Sequence, residues 1–107
     1  MKEQKLGILG GMGPQAKQVF YQFVLDRTDA ARDQDHLPAL ILSDSQMPDR
    51  TAAILGGEED RDRVFQRLLT DARLLESAGC TAIAVPCNTS HFFLDRVQEQ
   101  IGIPILH

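Results

Sequence analysis

The chain has 107 residues, of which 43% are hydrophobic and 24% charged, and this is the size and composition of a single globular domain. Its net charge is −4 and no block of Lys or Arg stands out, which argues against a nucleic-acid or acidic-membrane surface. No run approaches the roughly 20 apolar residues that span a bilayer, and the start does not have the pattern of a signal peptide. Its two cysteines fit neither a disulfide framework nor a zinc motif, so we expect one cytoplasmic domain over 1–107.

The first half of the chain alternates between strand and helix patterns. The apolar run Lys5–Leu9 predicts a strand that ends in the glycine turn Gly10–Gly13, and Pro14 then suits the first position of a helix. That helix is indicated by apolar residues at helical spacing: Ala16, Val19, Phe20, Phe23 and Val24. Leu37–Leu42 predicts a second buried strand. Ser43–Glu59 follows as a long polar loop, a length typical of binding loops.

The second half repeats the alternation. A second helix is indicated by the apolar positions Val64, Phe65, Leu68, Leu69, Ala72 and Leu75. Gly79 is placed to cap that helix, and Ala82–Pro86 predicts the third strand. Phe92–Ile101 predicts the third helix and Ile103–Leu106 the fourth strand. Strands that alternate with helices pair in parallel, so we expect an open four-stranded parallel α/β sheet of order 2-1-3-4 with helices on both faces.

Three loops should meet at the carboxyl edge of this sheet, where ligands bind in open α/β folds. They are Gly10–Gly13, Ser43–Arg50 and Cys87–His91. Cys87 follows a buried run and precedes a helix, whose N-terminal amides stabilise a thiolate and bind anions. A free cysteine is most often a buried structural residue, but this position favours a base or nucleophile that acts on an anionic small molecule.

The glycine turn fits a nucleotide-binding pattern only in part. Gly11–Ala16 matches the loose form GxGxxG/A after a strand. A dinucleotide site also requires an acidic residue at the end of the second strand, about 20 residues further on. Asp44 ends that strand but lies farther along the chain, and Asp35 precedes the strand. Two interpretations of the turn remain open: a tight turn that needs glycine, or a loop whose amides approach a carboxylate. We expect no cofactor.

Three other side chains each have two interpretations. Arg50 either clamps a carboxylate through its planar guanidinium or is a solvated surface residue, and its place in a carboxyl-edge loop favours the clamp. His91 either tunes the Cys87 thiol, or packs or faces water. Cys80 precedes a strand at the opposite edge and is expected to be inert. The spacing of His, Cys and Asp does not match a metal site, so we expect no metal.

Several segments together carry more information than any one of them. In chain order they are Gly7–Pro14, Asp33–His36, Pro48–Thr51, Pro86–Thr89 with His91, and Ile103–His107. This combination resembles the aspartate/glutamate racemase family, the cofactor-independent amino-acid racemases. The resemblance covers essentially the whole chain and is highly specific, although the glycine turn alone is not.

The resemblance implies a fold of two similar lobes, each of which contributes one cysteine, with the substrate between them. One thiolate removes the α-proton of an acidic amino acid, and the other thiol returns a proton to the opposite face. Cys87 matches the cysteine of the first lobe. Relatives such as maleate isomerase and arylmalonate decarboxylase use the same cysteine position for other reactions, and Arg50 favours the racemase among them.

The resemblance also implies which residues bind the substrate. Asn88 and Thr89 match the residues that hold the α-carboxylate. Arg50 matches the arginine that pairs with the side-chain carboxylate. Met12 and Gly13 line the same pocket in similar proteins. The expected ligand is therefore a small acidic amino acid or another dicarboxylate.

Two departures from the family pattern bear on the function. Lys17 stands where relatives often carry threonine, which adds a cation near the anion site. The chain also lacks a Gly–Cys–Thr–Glu-like segment, because Gly79–Thr81 precedes a strand and does not follow one. We therefore expect the N-terminal lobe of a racemase, completed by a C-terminal lobe or by a second copy in a homodimer. The alternative is a catalytically incomplete half-chain that binds a dicarboxylate or has a non-catalytic role.

Overall fold

The fold is built on a four-stranded parallel sheet whose strands lie in the order β2-β1-β3-β4, as expected from the sequence. A computed structural model describes residues 3–10, 22 and 36–106. The strands are β1 (Leu6–Gly10), β2 (Ala39–Ser43), β3 (Ala82–Ala84) and β4 (Ile105–Leu106). β3 is shorter than predicted, because Pro86 has no backbone N–H to contribute to the ladder.

The register of the strands assigns each side chain to one of two faces. Leu6 of β1 lies opposite Ala39 on one side and Ala82 on the other, and the pairing continues without a bulge. Because side chains alternate along a strand, Leu9 and Ile83 point into one core cluster, whereas Leu6 packs in a smaller cluster on the other face. The carboxyl ends of β1, β2 and β3 therefore form one edge of the sheet.

A 20-residue helix and an eight-residue helix cover the face that carries Leu9. Helix α2 (Glu58–Ser77) and helix α3 (His91–Gln98) each contribute a buried stripe to the main core. Gly79 follows α2 with a φ of +94°, which confirms it as the glycine that ends the helix. The helix predicted from Ala16 to Val24 lies outside the described residues, so the covering of the opposite face is not described. Among the described helices, none combines the length and the apolar character needed to cross a membrane.

The segment predicted as a long loop from Ser43 to Glu59 contains a helix, so that prediction was wrong in part. Helix α1 (Arg50–Leu55) begins after Asp49, whose Oδ1 accepts a hydrogen bond from the Ala52 N–H at 3.0 Å. This is a standard N-cap, and the two glycines at positions 56 and 57 separate α1 from α2. The Pro48–Asp49–Arg50 sequence therefore ends the loop and begins a helix with Arg50.

Gly7 of β1 packs closely against Leu75 of α2 and offers a direct test of the packing. A β-carbon at this position would lie 3.1 Å from the Cys80 Sγ and 3.2 Å from the Leu75 Cδ1. We expect Gly7→Ala to lower the free energy of unfolding by about 1–3 kcal/mol, because neighbouring core atoms must move. Urea unfolding measures the change. Gly57→Ser is the matched control: a β-carbon there has no heavy atom within 4 Å, and serine is a favoured N-cap. Equal losses in the two variants would contradict the packing described here.

Candidate active site

Cys87 lies just beyond the carboxyl end of β3 on a tight turn. The Cys87 N–H donates to the Val85 carbonyl at 2.8 Å, which closes a three-residue turn centred on Pro86. The same carbonyl lies 3.2 Å from the His91 Nε2. A carbonyl only accepts, so the Nε2 atom carries the proton in this contact. His91 therefore holds the turn on which Cys87 sits.

The turn leads directly into a helical segment, as the sequence predicted. Asn88–Ser90 forms one turn of 3-10 helix, and α3 continues from His91. The Ser90 N–H donates to the Cys87 carbonyl at 3.2 Å, so Cys87 is the last residue before the helical amides begin. This arrangement depends only on neighbouring residues, which is why the sequence could predict it.

The surroundings of the Cys87 thiol favour the thiolate. Its Sγ lies 3.3 Å from the Thr89 Oγ1. Burial raises the pKa of Cys87, but hydrogen bonds from the hydroxyls of Ser90 and Thr89, the Ser90 backbone N–H and the positive charge of Arg50 outweigh it. The net pKa of Cys87 lies below the usual value of a cysteine. A larger fraction of the thiol is therefore ionised near neutral pH, as a base or nucleophile requires.

Arg50 presents an unused hydrogen-bond donor close to this thiol. Its Nη1 donates to the Pro48 carbonyl at 3.0 Å, which holds the side chain against its own loop. Its Nε is buried and has no acceptor among the described residues. An unsatisfied buried donor is costly unless a ligand completes it, and a guanidinium fits a carboxylate in two-point geometry. Arg50 and Cys87 lie far apart in sequence, and the fold brings them together at the carboxyl edge.

An ionic cluster of two buried carboxylates and the partly exposed Arg67 lies next to this edge and was not identified from the sequence. The Asp44 carboxylate, whose side chain is only 4% exposed, is paired with the Nε and Nη2 of Arg67. Asp71 lies one helical turn after Arg67 on α2 and is also buried. These hydrogen bonds hold the pKa of Asp44 well below its usual range, whereas burial and the adjacent Asp44 raise the pKa of Asp71 to about 7. The sequence did contain a sign of this cluster, because Asp71 interrupts the apolar stripe of α2 between Leu68 and Leu75.

The remaining predicted residues fall into three groups. Met12 and Gly13 lie outside the described residues, and Asn88 is placed by its backbone in the short helical turn. Cys80 is 0% exposed at the amino end of β3, as expected of an inert residue. Across the described residues, no group of three His, Cys, Asp or Glu side chains could hold a metal ion.

An open pocket of about 580 Å³ lies elsewhere, between the start of α2 and α3. Its lining is Glu58, Glu59, Arg61, Asp62, Phe92, Phe93 and Arg96. Arg96 is stacked over the Phe65 ring at 4.0 Å, and the Arg61 Nη1 donates to the Ile54 carbonyl at 3.2 Å. Three carboxylates line this pocket against two arginines, an excess of negative charge that disfavours a dicarboxylate.

Comparisons with known proteins agree on one family. The Asp/Glu/hydantoin racemase profile matches residues 9–107. The broad specificity amino-acid racemase RacX of Bacillus subtilis (strain 168) is 31% identical over 109 residues, which is 95% of this chain and 44% of that protein. The aspartate racemase of Picrophilus torridus superposes with a TM-score of 0.80 at 31% identity, over 97% of this chain and 43% of that one. An aspartate racemase homologue from Pyrococcus horikoshii OT3 shares the fold, with a TM-score of 0.76 at 24% identity, over 99% of this chain and 44% of that one. The chain thus spans less than half the length of these relatives.

Proposed function

Because the chain belongs to the Asp/Glu/hydantoin racemase family, we propose that it supplies one lobe of an amino-acid racemase and that Cys87 is its base. The observation that carries this proposal is a thiol of lowered pKa under the charge of Arg50, whose buried Nε has no acceptor among the described residues. One group removes a proton, and the other binds a carboxylate beside it. The substrate class that fits both is a small acidic amino acid.

The proposed reaction begins when the Cys87 thiolate takes the α-proton onto Sγ. The electron pair of the C–H bond stays on the α-carbon and spreads into the α-carboxylate. An α-proton is only weakly acidic, so the base must be positioned and already ionised, and the developing charge needs donors in place. The Thr89 hydroxyl, 3.3 Å from Sγ, is close enough to serve the thiolate or the adjacent carboxylate. Asn88 is proposed to bind the α-carboxylate together with Thr89.

Substrate selection is proposed to depend on Arg50. A second carboxylate that fills the vacant position at its Nε would satisfy the buried donor and add a charge-assisted pair. Met12 and Gly13 of the glycine turn are proposed to line the same pocket. No cofactor or metal is needed for this chemistry, and a reduced thiol is what the cytoplasm maintains.

Inversion of configuration needs a second acid on the opposite face of the α-carbon. Cys80, the other cysteine of the chain, is 0% exposed and lies at the amino end of β3, away from Cys87. The second thiol is therefore proposed to come from a C-terminal lobe or from Cys87 of a second copy. The alternative, a half-chain that binds a dicarboxylate without turnover, rests on the fact that the chain covers only 43–44% of its relatives.

The carboxylate role of Arg50 can be tested by protection of Cys87. We expect aspartate or glutamate to slow the alkylation of Cys87 by iodoacetamide in the unaltered chain. In Arg50→Gln, the aspartate or glutamate concentration that gives half-maximal protection should rise about 10- to 100-fold. A hydrogen bond to a charged group contributes about 1.5–3 kcal/mol. Arg73→Gln, which removes an exposed arginine of α2, is the matched control. Equal protection in Arg50→Gln, or no protection in the unaltered chain, would count against the proposal.

A further inference from the structure

Asp44 is the residue from which the loop that leads to Arg50 departs. Its backbone N–H donates to the Gly10 carbonyl at 3.1 Å, which joins the end of β2 to the end of β1. Its carbonyl accepts from the Met47 N–H at 3.3 Å, and its Oδ1 accepts from the Gln46 N–H at 3.0 Å. Backbone and side chain of one residue thus shape the start of the 44–49 segment, and Arg50 follows directly after it.

The Asp44 side chain also fastens this segment to α2. Both of its oxygens are paired with the Arg67 guanidinium, with Nη2 2.7 Å from Oδ1. A buried carboxylate is tolerated only with such a partner, and breaking the pair from one side leaves an uncompensated charge. The position of the segment therefore depends on the charge balance around Asp44.

Asp71 makes that balance depend on a proton. It is 6% exposed, and its buried Oδ2 has no hydrogen-bond partner among the described residues. Within the described part of the chain, the charged groups that act on it are Asp44 at the end of β2 and Arg67 on α2. Two carboxylates around one guanidinium leave an excess negative charge, and a proton on Asp71 removes it. The proton also lets the Asp71 carboxyl donate a hydrogen bond to the Asp44 side chain.

We infer that a proton held by Asp71 and donated to Asp44 positions the 44–49 segment, and that Asp71 is thereby a positioning residue for Arg50 beside Cys87. The pKa of Asp71, near 7, agrees with this role. The inference concerns how Arg50 is held and does not depend on the identity of the substrate. Because Arg50 lowers the pKa of Cys87, the reactivity of the thiol reports on the position of Arg50.

The test is a double-mutant cycle read by the rate of Cys87 alkylation at pH 7. We expect Asp71→Leu, which removes the donor, to slow alkylation about three- to tenfold, since one pKa unit corresponds to about tenfold in thiolate. Asp71→Asn keeps an N–H donor toward Asp44 and should react within about twofold of the unaltered chain. In an Arg50→Gln background, Asp71→Leu should have no further effect. A similar slowing in both backgrounds, or no slowing in either, would overturn the inference.

A second measurement applies even if Asp71→Leu does not fold. The pKa of Asp71 rises from an ordinary 3.8 to about 7 on folding, so its contribution to stability is complete below pH 3.8 and is lost as the pH rises through 7. The urea midpoint of the unaltered chain should fall between about pH 4.5 and 7.5 more steeply than that of Asp71→Asn. Asp62→Asn, an exposed position of α2, should follow the unaltered chain. Identical pH profiles for the unaltered chain and Asp71→Asn would refute the shared proton.

Discussion

Iodoacetamide should alkylate Cys87 faster than Cys80 by at least on the order of 100-fold in the folded chain near pH 7. Cys80 is 0% exposed, with its Sγ against Gly7 in the core, so it reacts only when the structure opens. Cys87 is partly exposed, and its pKa lies below the usual value of a cysteine. Burial opposes this lowering, but hydrogen bonds from Ser90 and Thr89 and the charge of Arg50 outweigh it and so add to the difference that the burial of Cys80 creates.

Mass spectrometry of the labelled peptides measures the two rates separately in one sample. The same reaction in concentrated urea is the control, because unfolding removes both the burial of Cys80 and the hydrogen bonds to Cys87. The two rates should then agree within a few-fold. Comparable rates in the folded chain, or faster labelling of Cys80, would contradict the environment described for both thiols.

Racemisation of aspartate and glutamate by the 107-residue chain alone should be lower than that of a site with two thiols by roughly 10²–10⁴, the contribution of one positioned acid or base. Cys87 can remove the α-proton from one face. Cys80 cannot return it to the other, because it is buried at the opposite end of β3. Exchange of the α-proton with solvent deuterium should survive weakly, since a single base can remove and return a proton on one face.

Chiral chromatography measures inversion, and mass spectrometry in deuterium oxide measures exchange on the same samples. Cys87→Ser is the control and should abolish exchange. Strong racemisation that disappears in Cys87→Ser would show that two copies assemble a complete site across one pocket. Turnover that Cys87→Ser leaves unchanged would refute Cys87 as the base. Protection of Cys87 by aspartate without any exchange would favour the alternative of a binding module.

The architecture could be predicted because its causes are local along the chain. Periods of two and 3.6 residues distinguish strands from helices, and strict alternation of the two leads to parallel pairing. The same locality explains why Cys87 could be placed at the start of a helix: the turn at Pro86 and the amide of Ser90 belong to neighbouring residues. Helix α1 was missed because six residues form a marginal helix, and the Asp49 cap together with the burial of Ala53 stabilises it.

The residue types of the site can be read from the primary structure, but their mutual geometry arises from contacts between segments far apart in the chain. The family resemblance named Arg50 and Cys87, yet the buried Nε of Arg50 and the effect of its charge on the thiol follow from the meeting of two strand ends. The cluster around Asp44 could not be predicted from the sequence for the same reason. Arg67 and Asp71 approach Asp44 only when α2 packs across the sheet. Local periodicity encodes which face of an element is buried. It does not encode which charged side chains share that burial, because their ionisation depends on partners that folding supplies.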